Sequence, residues 1–137
     1  MRVLIVDFDF FTAVGGGQTF YRRVVERHPE MQFLYPSRGP DLRLRAELPS
    51  NAEPFALDSD EADPGLVVTL RDAGLPWSDV TLGVTLGAVG RSLQGESLDI
   101  VEVPSFRPCA HLVRPLFAAH GIRVGRVSLG LLGWVGM

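Results

Sequence analysis

The sequence predicts an α/β domain built on a mainly parallel, doubly wound sheet, and its opening segment supplies the first observation behind that prediction. A strand-like run, Val3–Val6, feeds a loop rich in acidic and aromatic residues that ends in a triple glycine, Gly15–Gly17. The following stretch, Gln18–His28, has helical periodicity, with Phe20, Tyr21, Val24 and Val25 on one face and Arg22, Arg23, Glu26 and Arg27 on the other. The second observation is that apolar runs and helical patterns keep alternating as far as Leu129, and strands separated by helices pair in parallel. The third is composition. With 137 residues, 46% of them hydrophobic and 21% charged, the chain is one ordinary domain with a single core.

The remaining elements follow in order. Met31–Tyr35, just after the breaker Pro29, reads as a second strand. Residues 36–51 form a polar connection with at most one helical turn around Leu42–Leu48. Glu53–Leu57 is expected at a sheet edge, because Pro54 would forfeit a ladder hydrogen bond in a central strand. Asp58–Pro64 places four acids in seven residues and is expected as a solvated loop. Leu66–Leu70 fits a strand or a helix. Ser78 or Asp79 caps a helix carrying Leu82, Leu86, Val89 and Leu93, in which Gly83, Gly87 and Gly90 imply close packing on the sheet. Ile100–Val103 is a strand ended by Pro104. Pro108 starts a helix with Leu112, Val113, Leu116 and Phe117 inward, and Pro115 is expected to kink or break it. Gly121 closes that helix, and Ile122–Leu129 is the last strand.

Charge and cysteine usage narrow the function classes. A net charge of −3 with scattered arginines argues against a nucleic-acid partner. Cys109 is the only cysteine, which excludes an internal disulfide, and His28, His111 and His120 have no metal-ligand spacing. No apolar run is long enough to span a bilayer and no leader pattern opens the chain, so a cytoplasmic protein is expected.

Strand, glycine turn and helix is the arrangement by which α/β sheets present N–H groups to an anion, usually a phosphate. A tight turn with close helix–sheet contact would use the same glycines without any ligand. The familiar phosphate motifs do not fit. Counted from Gly15 and Gly17, the third glycine of G-x-G-x-x-G falls on Phe20, and Phe33–Pro36 lacks the acid expected after a second strand. All thirteen basic residues are arginine, so a P-loop lysine and Schiff-base chemistry are both excluded. Asp7-Phe8-Asp9 matches the D-x-D of haloacid-dehalogenase-type phosphohydrolases, but Thr12 stands one place late and no acid follows Glu102 to complete a Mg²⁺ site.

Three segments carry a family resemblance. VGGGQTFYRRVVERHP resembles the first loop and helix of retaining GT-B-fold glycosyltransferases, LDIVEVPSF is similar to a later strand that ends in a Pro or His loop, and RVSLG to the strand that commonly finishes in His-Gly. Gly130 stands where that histidine would be, and Ser37–Trp77 has no counterpart in the resemblance. The resemblance implies a three-layer Rossmann-like domain forming the N-terminal, acceptor-side half of a two-domain enzyme, with the donor-binding half absent from residues 1–137. It implies a nucleotide-sugar donor, an acceptor of unknown identity and no further cofactor. Gly15, Gly16, Gly17 and Gln18 would face donor phosphate or acceptor, and Ser105 and Phe106 the opposite lip. It assigns no catalytic nucleophile or base. A stand-alone α/β binding module is the alternative. The uncharged stretch Leu129–Met137 is expected to drive a homodimer through Leu132, Trp134 and Val135.

Overall fold

In the computed structural model, which describes residues 1–57, 64–75, 77–104 and 112–130, five strands form one parallel sheet. They are β1 (Arg2–Ile5), β2 (Gln32–Ser37), β3 (Ala52–Ala56), β4 (Ser97–Val103) and β5 (Arg123–Leu129), in the spatial order β3-β2-β1-β4-β5. Every neighbouring pair runs parallel, from Val3 opposite Phe33 on one side of β1 to Val3 opposite Ile100 on the other. The helices are α1 (Gly16–Arg27), α2 (Pro40–Arg43), α3 (Pro64–Asp72), α4 (Trp77–Ser92) and α5 (Val113–Ala118), with a short 3-10 turn at Arg45–Glu47.

The central runs Val3–Ile5, Phe33–Tyr35 and Ile100–Val101 are apolar because both faces of the sheet are covered there, and successive residues serve opposite layers. Val3 and Ile5 pack with Phe33, Tyr35 and Ile100 beneath Tyr21, Val24 and Val25 of α1. Leu4 and Val6 pack with Leu34, Val101 and Val103 against Leu86, Val89 and Leu93 of α4 and Val113 and Phe117 of α5. The result is the expected three-layer, Rossmann-like α/β arrangement. Tyr21, Phe33, Tyr35 and Phe117 are fully buried, at about 1.5–3 kcal/mol each, so both layers contribute to stability.

Both strand prolines follow from the direction of the ladder. The Phe33 N–H donates to Asn51 and the Gln32 N–H to Met1, so even positions of β2 face β1. The ring nitrogen of Pro36 therefore points toward β1 beyond its last pair, Leu4 with Leu34, where there is no bond to lose. This carries β2 two residues past the expected boundary at Tyr35. The Leu57 N–H donates to Ser37, so odd positions of β3 face β2, and Pro54 faces outward from the edge strand.

Leu66–Leu70, which fits a strand or a helix, belongs to helix α3. The rest of the helical half departs from expectation in three places. Helix α4 begins at Trp77, which puts Ser78 and Asp79 inside its first turn and not at the position before it. Its glycines give way to helices, not to the sheet: a Cβ at Gly83 would lie 2.6 Å from Leu70, at Gly87 2.8 Å from Leu66, and at Gly90 2.8 Å from His120. Pro115 produces no kink, because α5 starts at Val113 and a first-turn N–H has no intrahelical partner to lose. Gly121, at φ 70°, ends the helix as expected, and the Ile122 N–H returns to the Phe117 carbonyl at 3.0 Å. Among the described residues no helix is long and apolar enough to cross a membrane. The acidic stretch 58–63, Pro108 and the C-terminal segment with Leu132, Trp134 and Val135 lie outside the described residues.

Candidate functional site at the carboxyl edge of the sheet

The chain leaves β1 to the β2 side and returns through β4 on the other, so the strand order reverses between β1 and β4. Loops at the carboxyl ends of two such strands diverge and leave a crevice. The β1–α1 loop stands at this point of reversal. It begins beside β4, where the Val6 N–H donates to the Glu102 carbonyl at 2.9 Å.

The first half of that loop is pinned. Asp9 adopts φ 50°, an uncommon conformation that Asp tolerates better than most residues, and its carbonyl receives the N–H groups of Thr12 and Ala13. One carboxylate oxygen accepts from the Ser37 hydroxyl at 2.5 Å and the Asp41 N–H at 3.0 Å, the other from the Arg38 N–H at 2.9 Å. Asp41, fully buried, accepts in turn from Tyr35 and Thr12 hydroxyls, both at 2.7 Å, and from the Phe11 N–H. Those bonds favour the neutral phenol of Tyr35, whose pKa burial and Asp41 push far above the ordinary tyrosine range. Phe10 fills the space below, 4.1 Å from the Tyr35 ring centre. The second Asp of the D-x-D thus ties the loop to the β2–α2 corner.

Asp7 has a different environment. It is half-buried beside the start of α1 and accepts from the Gln18 amide at 3.4 Å and from the Phe8 N–H. Burial dominates over these two bonds and raises its pKa from 3.8 to about 6. Close by, the Tyr21 hydroxyl faces Glu102, a fully buried carboxyl on β4, at 3.5 Å. Desolvation first, then the charges of Glu102 and Asp7, hold the Tyr21 phenol protonated far above its usual range. Asp7, Gln18, Tyr21 and Glu102 form one polar cluster under the α1 N-terminus, at the point of strand reversal.

The triple glycine borders this cluster. Gly15 precedes α1, and Gly16 and Gly17 form its first turn, where N–H groups lack intrahelical partners. A Cβ at Gly16 or Gly17 would meet nothing within 4 Å, and neither residue has a positive φ. Close helix–sheet contact, the ligand-free reason for glycine, is therefore absent at both. Val14, 98% exposed, stands at the tip of the same loop. Among the residues expected at the site, Gly15, Gly16, Gly17 and Gln18 are brought together, while Ser105 and Phe106 lie outside the described residues. Glu102 and Tyr21 were hidden as site residues by their strand and helix patterns. The only signal was one acid inside the apolar run Ile100–Val103.

A shallow depression of about 330 Å³ between Arg2, Glu30, Gln32 and Asn51 lies at the amino edge, away from this cluster. Among the described residues no group of three His, Cys, Asp or Glu side chains could hold a metal ion. No family model, curated protein or solved structure matches the chain.

Proposed function

We propose that this domain is the acceptor-side, N-terminal half of a retaining, nucleotide-sugar-dependent glycosyltransferase of the GT-B type. The observation that carries the reading is the open space over Gly16 and Gly17, two glycines that the protein's own packing does not require. They sit at the carboxyl end of β1, beside the strand reversal, where a ligand can approach main-chain N–H groups without meeting a side chain. N–H groups at the start of a twelve-residue helix suit phosphate oxygens and would stabilise the charge on a departing nucleotide. Asp7, a carboxyl edging the same cleft, suits the hydroxyls of a sugar. The segments that resemble the family coincide with this point of reversal: VGGGQTF forms the glycine turn and LDIVEV forms β4.

On this reading the second domain supplies most of the donor contacts. Isothermal titration of the 137-residue chain with a panel of nucleotide sugars should show no micromolar binding. Micromolar affinity would place a complete site in this domain and favour the stand-alone binding module. In the polypeptide carrying both domains, Gly16→Val should lower sugar transfer at least tenfold, about 1.4 kcal/mol of transition-state stabilisation, with little change in melting temperature. Unchanged transfer would remove the glycine turn from the site. Self-association through the apolar C-terminal segment belongs to the same proposal, and sedimentation of the intact chain against one ending at Leu129 tests it: monomers in both cases would end that part.

A further inference from the structure

Gly15 differs from its two neighbours in that the protein itself uses the space its missing side chain leaves. A Cβ there would lie 2.2 Å from Gln18 Oε1. The Gln18 side chain curls back over the helix start into that space, and this pose brings its Nε2 to 3.4 Å from Asp7 Oδ2. The backbone of Gly15 is extended, at φ 163°, so room and not dihedral angle demands glycine. Its carbonyl accepts from both the N–H and the hydroxyl of Thr19, at 3.0 and 2.8 Å, which prevents Gly15 from swinging aside.

We infer that Gly15 and Gln18 form a positioning unit for Asp7, in which the glycine seats the amide and the amide holds the carboxyl at the cleft between β1 and β4. The inference rests on the reading of that cleft as the sugar site, and it reassigns Gln18 from phosphate contact to support of the carboxyl that accepts from a ligand hydroxyl. The groups about Asp7 are the Phe8 N–H from its own loop and Gln18 and Tyr21 from α1, with Glu102 of β4 on the Tyr21 hydroxyl. Within this set Gln18 is the side chain that donates to the ionised carboxyl.

Carbon-13 NMR titration of the Asp7 carboxyl in the 137-residue chain tests the unit without needing a ligand. Gln18→Ala should move the titration upward by about half a pH unit or more. Gly15→Ala should move it the same way, since the added methyl displaces the flexible amide and leaves the fold intact, and Gly17→Ala should not move it. Adding Gly15→Ala to Gln18→Ala should produce no further shift, because the methyl then has no amide to displace. Additive shifts, or an unmoved titration in either single variant, would overturn the inference. Shifted titrations with unchanged transfer by the two-domain enzyme would leave the unit standing and count against the cleft as the sugar site. An unmoved titration beside the tenfold loss in Gly16→Val would do the reverse.

Discussion

Asp7 and Asp9 stand two residues apart and meet opposite environments. Asp9 receives three donors on its carboxylate and fastens the loop to the end of β2. Its truncation leaves buried N–H groups without an acceptor, so Asp9→Ala should cost about 3 kcal/mol in urea unfolding. Millimolar Mg²⁺ should leave the melting temperature unchanged; a rise of several degrees, abolished in Asp9→Asn, would restore the phosphohydrolase reading. Asp7 carries a proton more tightly in the folded chain than in the unfolded one, with a pKa near 6 against 3.8. Its contribution to stability is therefore fully present below about pH 4 and is lost as the pH rises through 6. The difference in stability between the native chain and Asp7→Asn, measured by urea unfolding from pH 4 to pH 7, should follow that window. A difference that stays flat would show that Asp7 titrates alike in both states. None of this contrast is visible in D-F-D, because it depends on which strand end each carboxyl meets after folding.

At the scale of elements, the glycines divide by what surrounds them. In α4 a single helical stripe of Gly83, Gly87 and Gly90 admits α3 and α5 at close range, with Leu66, Leu70 and His120 occupying the space. Gly90→Val should therefore destabilise by about 1–3 kcal/mol through overpacking against His120 and the buried Phe117. Gly16→Ala should be neutral or stabilising by about 0.5–1 kcal/mol, since nothing opposes its methyl and a helical residue loses less entropy than glycine. Comparable thermal melts of the two variants would show that the two sets of glycines do not differ in this way. The spacing of 83, 87 and 90 made close packing legible in the sequence, yet not its partner, since helix neighbours are set by the connections. Pro115 misled for a similar reason: the cost of proline depends on where its helix begins, and α5 begins at Val113, which leaves Pro115 in its first turn. Pro36 was compatible with a strand only because β1 ends opposite Leu34.

For the molecule as a whole, parallel pairing was legible because apolar runs and helical patterns alternate along the chain, and strands joined through helices pair in parallel. The strand order was not, since each connection leaves open the side on which the next strand docks. The position of the cleft follows from that order, and so the pairing of Gly15–Gln18 with Glu102 could not be read from residues 84 or more positions apart. The same order has a consequence during synthesis. The strand made first lies at the centre of the sheet, with Val3 paired to Phe33 on one side and to Ile100 on the other. At about 5–20 residues per second, a ribosome takes roughly 2–10 seconds to proceed from Ala56, where β3 ends, to Val103, where β4 ends. Through that interval a β1-β2-β3 intermediate would present the bare edge of β1, an apolar template open to strands of other nascent chains. The step that removes the hazard is the arrival of β4, so destabilising β4 should lower soluble yield at 37 °C more than an equal loss of stability in β3, which pairs only at the rim.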